Sequence, residues 1–335
     1  VSAATGIGSM PGPGTDDPAR TYAETVRTVL GVLGELPHVP ELPGRGAAAT
    51  MTGRALAVVE GLGADLQPAG WRLTDAAGVD LRRARSLLAQ DLDTVEELAQ
   101  GYVGDFKTQL TGPWTLAATV EKHRGDKVLS DHGARRDLGQ ALAEGVRGHV
   151  ADLRRRLPGV ERLIVQVDEP ALTAVLEATV PTASGLGRHR KVDLPEASAT
   201  LTEVLSAIAG AGAEPWVHSC AARTPLDLLR GAGARGLSVD LDQLDAADHD
   251  QLGQALEAGL SVALGVVPTA EPAQPVSEKA SVERVLRWLD MLGFGLDEVS
   301  AQLVITPSCG LARASPAWAR GALELAGATA RELSH

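Results

Sequence analysis

Arg162-Leu-Ile-Val-Gln-Val-Asp168, followed at once by Glu169-Pro170, is a short apolar run that stops on two carboxylates. Its length suits a strand, and apolar residues on both faces suit a parallel sheet covered by helices. Seven more runs of strand character recur between longer helical stretches, at 5–10, 36–41, 107–111, 215–220, 236–241, 260–267 and 302–306. Eight strand–helix units predict an α/β fold, a (β/α)8 TIM barrel, formed by a single domain over 1–335. The stretches 44–105 and 172–197 exceed what a connection needs and read as insertions on the barrel. Helix starts are marked by Thr15-Asp-Asp-Pro18 and Ser315-Pro316, where a capping side chain precedes an early proline. Leu201, Val204, Leu205 and Ile208 fall at helical spacing and predict one buried face.

Composition narrows the function. Aromatic residues make up 3% of the 335, so the core is built from Leu, Val, Ile and Ala. A net charge of −12 argues against a nucleic-acid backbone or an anionic membrane surface as partner, because both demand clustered positive charge. The first residues show no leader pattern and no apolar run is long enough to cross a bilayer, so the chain reads as soluble and cytoplasmic, acting on a small molecule. Arg154-Arg-Arg156 reads as a solvated helix end.

The chain has two cysteines, and each closes a strand-like run: Cys220 in Trp216-Val-His-Ser-Cys and Cys309 in Val304-Ile-Thr-Pro-Ser-Cys. His218 lies two residues before Cys220, so both point to one face of an extended backbone. The eightfold assignment gathers Asp168, Glu169, His218, Cys220, Asp240 and Cys309 at the C-terminal rim, where such barrels carry their active sites. One imidazole and two thiolates suit zinc, with Asp240 on the neighbouring strand as fourth ligand. Each residue also has a plainer role open to it. The cysteines could be small buried hydrophobes, Asp240 a helix cap, and Asp168-Glu169-Pro170 a helix start. The glycine-rich turn Gly6-Ile-Gly-Ser-Met-Pro-Gly-Pro-Gly14 does not match a dinucleotide fingerprint. Its amides and the Ser9 hydroxyl suit a substrate carboxylate.

These residues resemble the C-terminal catalytic half of the cobalamin-independent methionine synthase family. The resemblance rests on Ile7-Gly-Ser-Met-Pro11, Gly112-Pro113, Val165-Gln-Val-Asp-Glu-Pro-Ala-Leu172, His218-Ser-Cys220, Leu237-Ser-Val-Asp240 and Thr306-Pro-Ser-Cys-Gly-Leu311. It implies a zinc-dependent methyltransferase that passes a methyl group to the thiol of homocysteine. His218, Cys220 and Cys309 match metal ligands, and Asp168, Ser9 and Glu41 match groups that hold the amino-acid end. Four departures stand against the pattern. Asp240 replaces a glutamate ligand, and the family's N-terminal barrel is missing. A folate-stacking tryptophan falls at about Thr119, with Trp114 no equivalent, and a proton-donating histidine expected within 266–272 has no counterpart. The donor therefore stays open between methyltetrahydrofolate and a methylcorrinoid carried by a methyl-donor protein. Other readings are a zinc-dependent thiol alkyltransferase with another electrophile, a metal-free decarboxylase of the related porphyrinogen barrel, and a non-catalytic member.

Overall fold

A computed structural model describes residues 2–12 and 17–334. The strands are β1 (Ala3–Ala4), β2 (Gly63–Gln67), β3 (Gly70–Thr74), β4 (Gly104–Thr111), β5 (Val160–Asp168), β6 (Glu214–Ser219), β7 (Gly236–Asp240), β8 (Ser261–Val267) and β9 (Leu303–Pro307). Seven of them form one curled, wholly parallel sheet in the order β1-β9-β8-β7-β6-β5-β4. Helices separate successive strands of β4 to β9 and cover the outer face, which holds the main apolar core. Parallel strands need such crossovers, and burial on both faces is why β5 and β8 are nearly continuous apolar runs.

The predicted second strand, 36–41, is not a regular strand. It hydrogen-bonds to both edges of the sheet through isolated bridges. On one side Val39 N donates to Lys107 O (2.9 Å) and Lys107 N to Pro37 O (2.9 Å); on the other Glu41 N donates to Gly8 O (3.0 Å) and Met10 N to Glu41 O (2.8 Å). Pro37 and Pro40 carry no N–H, so a continuous ladder cannot form here. The predicted first strand, 5–10, is not a regular strand either: the edge strand is Ala3–Ala4, just ahead of it, and within 5–10 Ser9 makes an isolated bridge to Glu41. A hairpin of β2 and β3, not anticipated from sequence, occupies part of the 44–105 insertion.

The inner face of the sheet is layered. Leu36, Ile164, Trp216, Ala263 and Val304 form a small apolar cluster separate from the main core. Gly236 makes room for it, since a Cβ there would come within 2.4 Å of the Trp216 ring. Two residues further along β5 and β6 the same face becomes polar, with Gln166 after Ile164 and His218 after Trp216. The period of two thus carries the chain from an apolar floor to a polar site.

Helix signals are met where they lie within the described residues. Asp17 caps the helix Pro18–Val32, accepting from Ala19 N and Arg20 N, while Thr15 and Asp16 lie outside the described residues. Ser315 caps Pro316–Glu332, and Leu201, Val204, Leu205 and Ile208 are all buried on Leu194–Gly210. The arginine run does end a helix, His132–Arg156, but Arg156 is not simply solvated: it bonds Asp93, Glu96 and Asp152. Among the described residues no helix is long and apolar enough to cross a membrane.

Candidate functional site

Adjacent strands place the key side chains by register. Asp168 at the end of β5 pairs with His218 on β6, and His218 pairs with Ser238 on β7. The His218 Nδ1 lies 3.0 Å from the Ser238 hydroxyl and 3.2 Å from its carbonyl. A proton on Nδ1 donated to that carbonyl leaves Nε2 as the free lone pair. Nε2 faces the Cys309 sulfur at 4.0 Å, and the Cys220 and Cys309 sulfurs, both free, are 2.6 Å apart. The three ligand atoms all lie within 4.8 Å of one another. Gly265 allows this convergence: a Cβ there would meet the Ser308 Cα at 2.6 Å.

The two thiols share a hydrogen bond and are electrostatically unlike. The bond from Cys220, with His218 nearby, pulls the Cys309 thiol down to about 4 despite its burial. The same bond, with burial, pushes Cys220 up. Two thiols in contact at 2.6 Å beside an imidazole nitrogen present soft donors to a single cation.

Asp240 ends β7 on the same rim but outside the three-atom cluster. It accepts a hydrogen bond from Asp242 N (3.0 Å), capping the short turn Leu241–Gln243, and partial burial raises its pKa.

Two buried carboxylates share the pocket with the cysteines. Ser9, Glu41, Asp168, His218, Cys220 and Cys309 all line one pocket of about 210 Å³, closed further by Ile7, Thr50, Met51 and Gly310. At about 30 Å³ per water this is space for roughly seven waters, the scale of a small amino acid. Gly310 leaves room for the Ser9 hydroxyl in its present direction, because a Cβ would fall 2.1 Å from it and turn it away. Burial pushes the Asp168 carboxyl up to about 7, with Glu41 adding to the shift and His218, Gln166 and Lys107 opposing it. Glu41 is also raised by burial, against the pull of Arg54, Gln109 and Lys107.

Several contributors escaped sequence reasoning. Gln166 donates to Asp168 Oδ1 (2.7 Å) and to Ile7 O (2.9 Å). Lys107 is wholly buried, donates to the same carbonyl (3.0 Å), and is lowered to about 8 by burial, opposed by Asp168 and Glu41. Period-two spacing along β4 and β5 would have found both, since Lys107 and Gln109, like Gln166 and Asp168, share a face. Glu169 points elsewhere: it accepts from Trp114 N (2.9 Å), Thr115 N (2.8 Å) and Thr115 Oγ1 (2.7 Å), fixing the Gly112-Pro113 turn. Its burial raises it to about 7.

Comparison with known proteins gives this pocket a context. The family described as the catalytic domain of cobalamin-independent synthase matches residues 88–332. The chain belongs to the cobalamin-independent synthase family. No curated protein sequence matches it. Among solved structures, a B12-independent methionine synthase from Shewanella sp. W3-18-1, in complex with selenomethionine, is similar at a TM-score of 0.62 and 14% identity, covering 99% of this chain and 97% of that one. At that identity the likeness concerns the fold, which this family member shares over nearly its whole length. A GH5_18 protein from Streptomyces cattleya in complex with GlcNAc follows at a TM-score of 0.49 and 13% identity, over 99% of this chain and 80% of that one.

Proposed function

We propose that this chain is a zinc-dependent S-methyltransferase that makes methionine from homocysteine. It would act as one cytoplasmic domain over 1–335, in a barrel whose eighth stave is the stretch 36–41. The observation that carries the reading is a single pocket lined by an imidazole, two free thiols and two buried carboxylates. One nitrogen and two sulfurs within 4.8 Å fit zinc, and the Nδ1 contact with Ser238 leaves the correct nitrogen free. Asp240 is the proposed fourth ligand, at the cost of its bond to Asp242 N. Bound there, zinc would lower the pKa of a substrate thiol and hold it as a thiolate near neutral pH.

The protein's own groups would orient the substrate. Glu41 and Asp168 receive the ammonium, whose positive charge draws Asp168 toward its anionic form. Ser9 and the amides of its turn receive the carboxylate, which leaves the thiol facing Cys220 and Cys309. The substrate sulfur attacks the methyl carbon, and the bond between methyl and donor breaks with its electron pair going to the donor. Holding sulfur and methyl in line supplies much of the acceleration. The donor is a methylfolate or a methylcorrinoid on a partner protein. A thiol alkyltransferase with another electrophile is the competing reading, favoured by the donor-side departures at Thr119 and 266–272. Methionine formation by zinc-loaded protein, with donors varied, tests the proposal together with direct binding of homocysteine. Failure with every donor class despite thiol binding would favour the competitor, and absence of thiol binding would exclude both.

A further inference from the structure

Glu41 also joins a buried charge cluster whose other members, Arg45, Arg54 and Asp91, do not line the pocket and are not used by the proposed chemistry. Asp91, 2% exposed on the helix Val79–Leu98, receives Arg45 in a two-pronged bond (2.8 and 2.6 Å) and Arg54 Nη1 at 2.5 Å. Arg54, on the helix Met51–Val58 and 6% exposed, turns its Nε toward Glu41 Oε1 at 3.6 Å. The Arg45 guanidinium is itself fixed, stacked 4.7 Å above the buried Tyr22 ring. Two guanidinium groups and two carboxylates balance in charge, but not evenly in space. Asp91 is shared by both arginines, so the surplus positive charge faces Glu41.

A buried carboxylate without a counter-ion takes up a proton rather than stay charged. Glu41 has Arg54 as its ion-pair partner, with Asp91, Gln109 and Lys107 as its other polar neighbours. We propose that Arg54, anchored by Asp91, is a positioning residue that keeps Glu41 anionic and aimed into the pocket. The pocket's selectivity for a thiol that also carries an ammonium then depends on a side chain that never touches the ligand. This rests on reading the pocket as an amino-acid thiol site. A guanidinium suits the task because its rigid fork reaches Asp91 and Glu41 at once, which a lysine ammonium on a flexible stem does not.

The test compares binding of homocysteine with that of 4-sulfanylbutanoate, which keeps the thiol and carboxylate but lacks the amino group, to zinc-loaded protein by calorimetry. A charge-assisted contact predicts that the wild type prefers homocysteine by about tenfold to a hundredfold. Arg54→Met is expected to cut that preference several-fold, to what Asp168 alone supplies, while 4-sulfanylbutanoate binds as before, and Arg54→Lys to give an intermediate value. In the Glu41→Gln background, Arg54→Met should cause no further loss of preference. An undiminished preference in Arg54→Met overturns the proposal, as does equal weakening of both thiols, the mark of a merely structural role. Should Arg54→Met not fold, Arg54→Lys decides: a wild-type preference overturns the proposal, and a reduced one with intact 4-sulfanylbutanoate binding supports it. If the wild type binds neither thiol, the amino-acid thiol reading fails first and takes this inference with it.

Discussion

Replacing Asp168 with asparagine should make the protein more stable above neutral pH while damaging its site. Below about pH 4 the Asp168 carboxyl is protonated in both the folded and the unfolded chain, so it contributes no pH dependence. As pH rises from the ordinary value of 3.8 to the folded value of about 7, only the unfolded chain ionises, and stability is progressively lost. Above about pH 7 the loss is complete. That interval, at about 1.4 kcal/mol per pH unit, sets a ceiling of about 4 kcal/mol. Lys107 takes back part of it, since removing the Asp168 charge strips one anion from a buried ammonium. A net gain of about 2 kcal/mol is therefore expected at pH 8, and nearly none at pH 4. Asparagine keeps the oxygen that accepts from Gln166, so no buried donor is orphaned. For a chain of this length 2 kcal/mol raises Tm by about 3 °C. Urea unfolding of both proteins between pH 4 and 8, at matched metal loading, gives the difference directly. A variant less stable than wild type at pH 8, or a difference that does not change with pH, would refute the reasoning.

Two further outcomes follow from the site's geometry. Ser238→Ala removes the hydroxyl beside His218 Nδ1 but keeps the carbonyl, so metal affinity should fall by up to about tenfold with the thiols unchanged, read by chelator competition. Gly310→Ala would force a Cβ onto the Ser9 hydroxyl, and homocysteine affinity should drop while zinc stoichiometry is retained, read by calorimetry with metal analysis.

How much of this was legible depends on the range of the physics involved. The strands β4 to β9 announced themselves because burial on both faces demands apolar runs, a local signal. The stretch 36–41 carried the same apolar character, yet Pro37 and Pro40 deny it the donors for a ladder, and it pairs only through single bridges. Asp168, His218, Cys220 and Cys309 were readable as members of one rim because strand ends converge there, Ser9 from its glycine-rich turn and Glu41 only through the family resemblance, and all six line one pocket. Asp240 was placed on the rim correctly, but strand position does not fix a carboxylate's rotamer, and a free N–H two residues on captures its oxygen. Arg54 and Asp91 were illegible as site components, and Lys107 was overlooked although its strand face was readable. Arg54 and Asp91 belong to helices separated by the β2–β3 hairpin and meet only through tertiary packing. Lys107 shares its strand face with Gln109, and its burial follows once the sheet curls around that face.

The most direct test of zinc-dependent thiol activation is the absorption of cobalt(II)-substituted protein as homocysteine is added. Thiolate-to-cobalt bands from Cys220 and Cys309 are expected before addition, lost in Cys309→Ser, with a further change on adding homocysteine as a third sulfur joins the metal. Cobalt bands that are present but indifferent to homocysteine, or bands that survive intact in Cys309→Ser, would contradict thiol activation at this site.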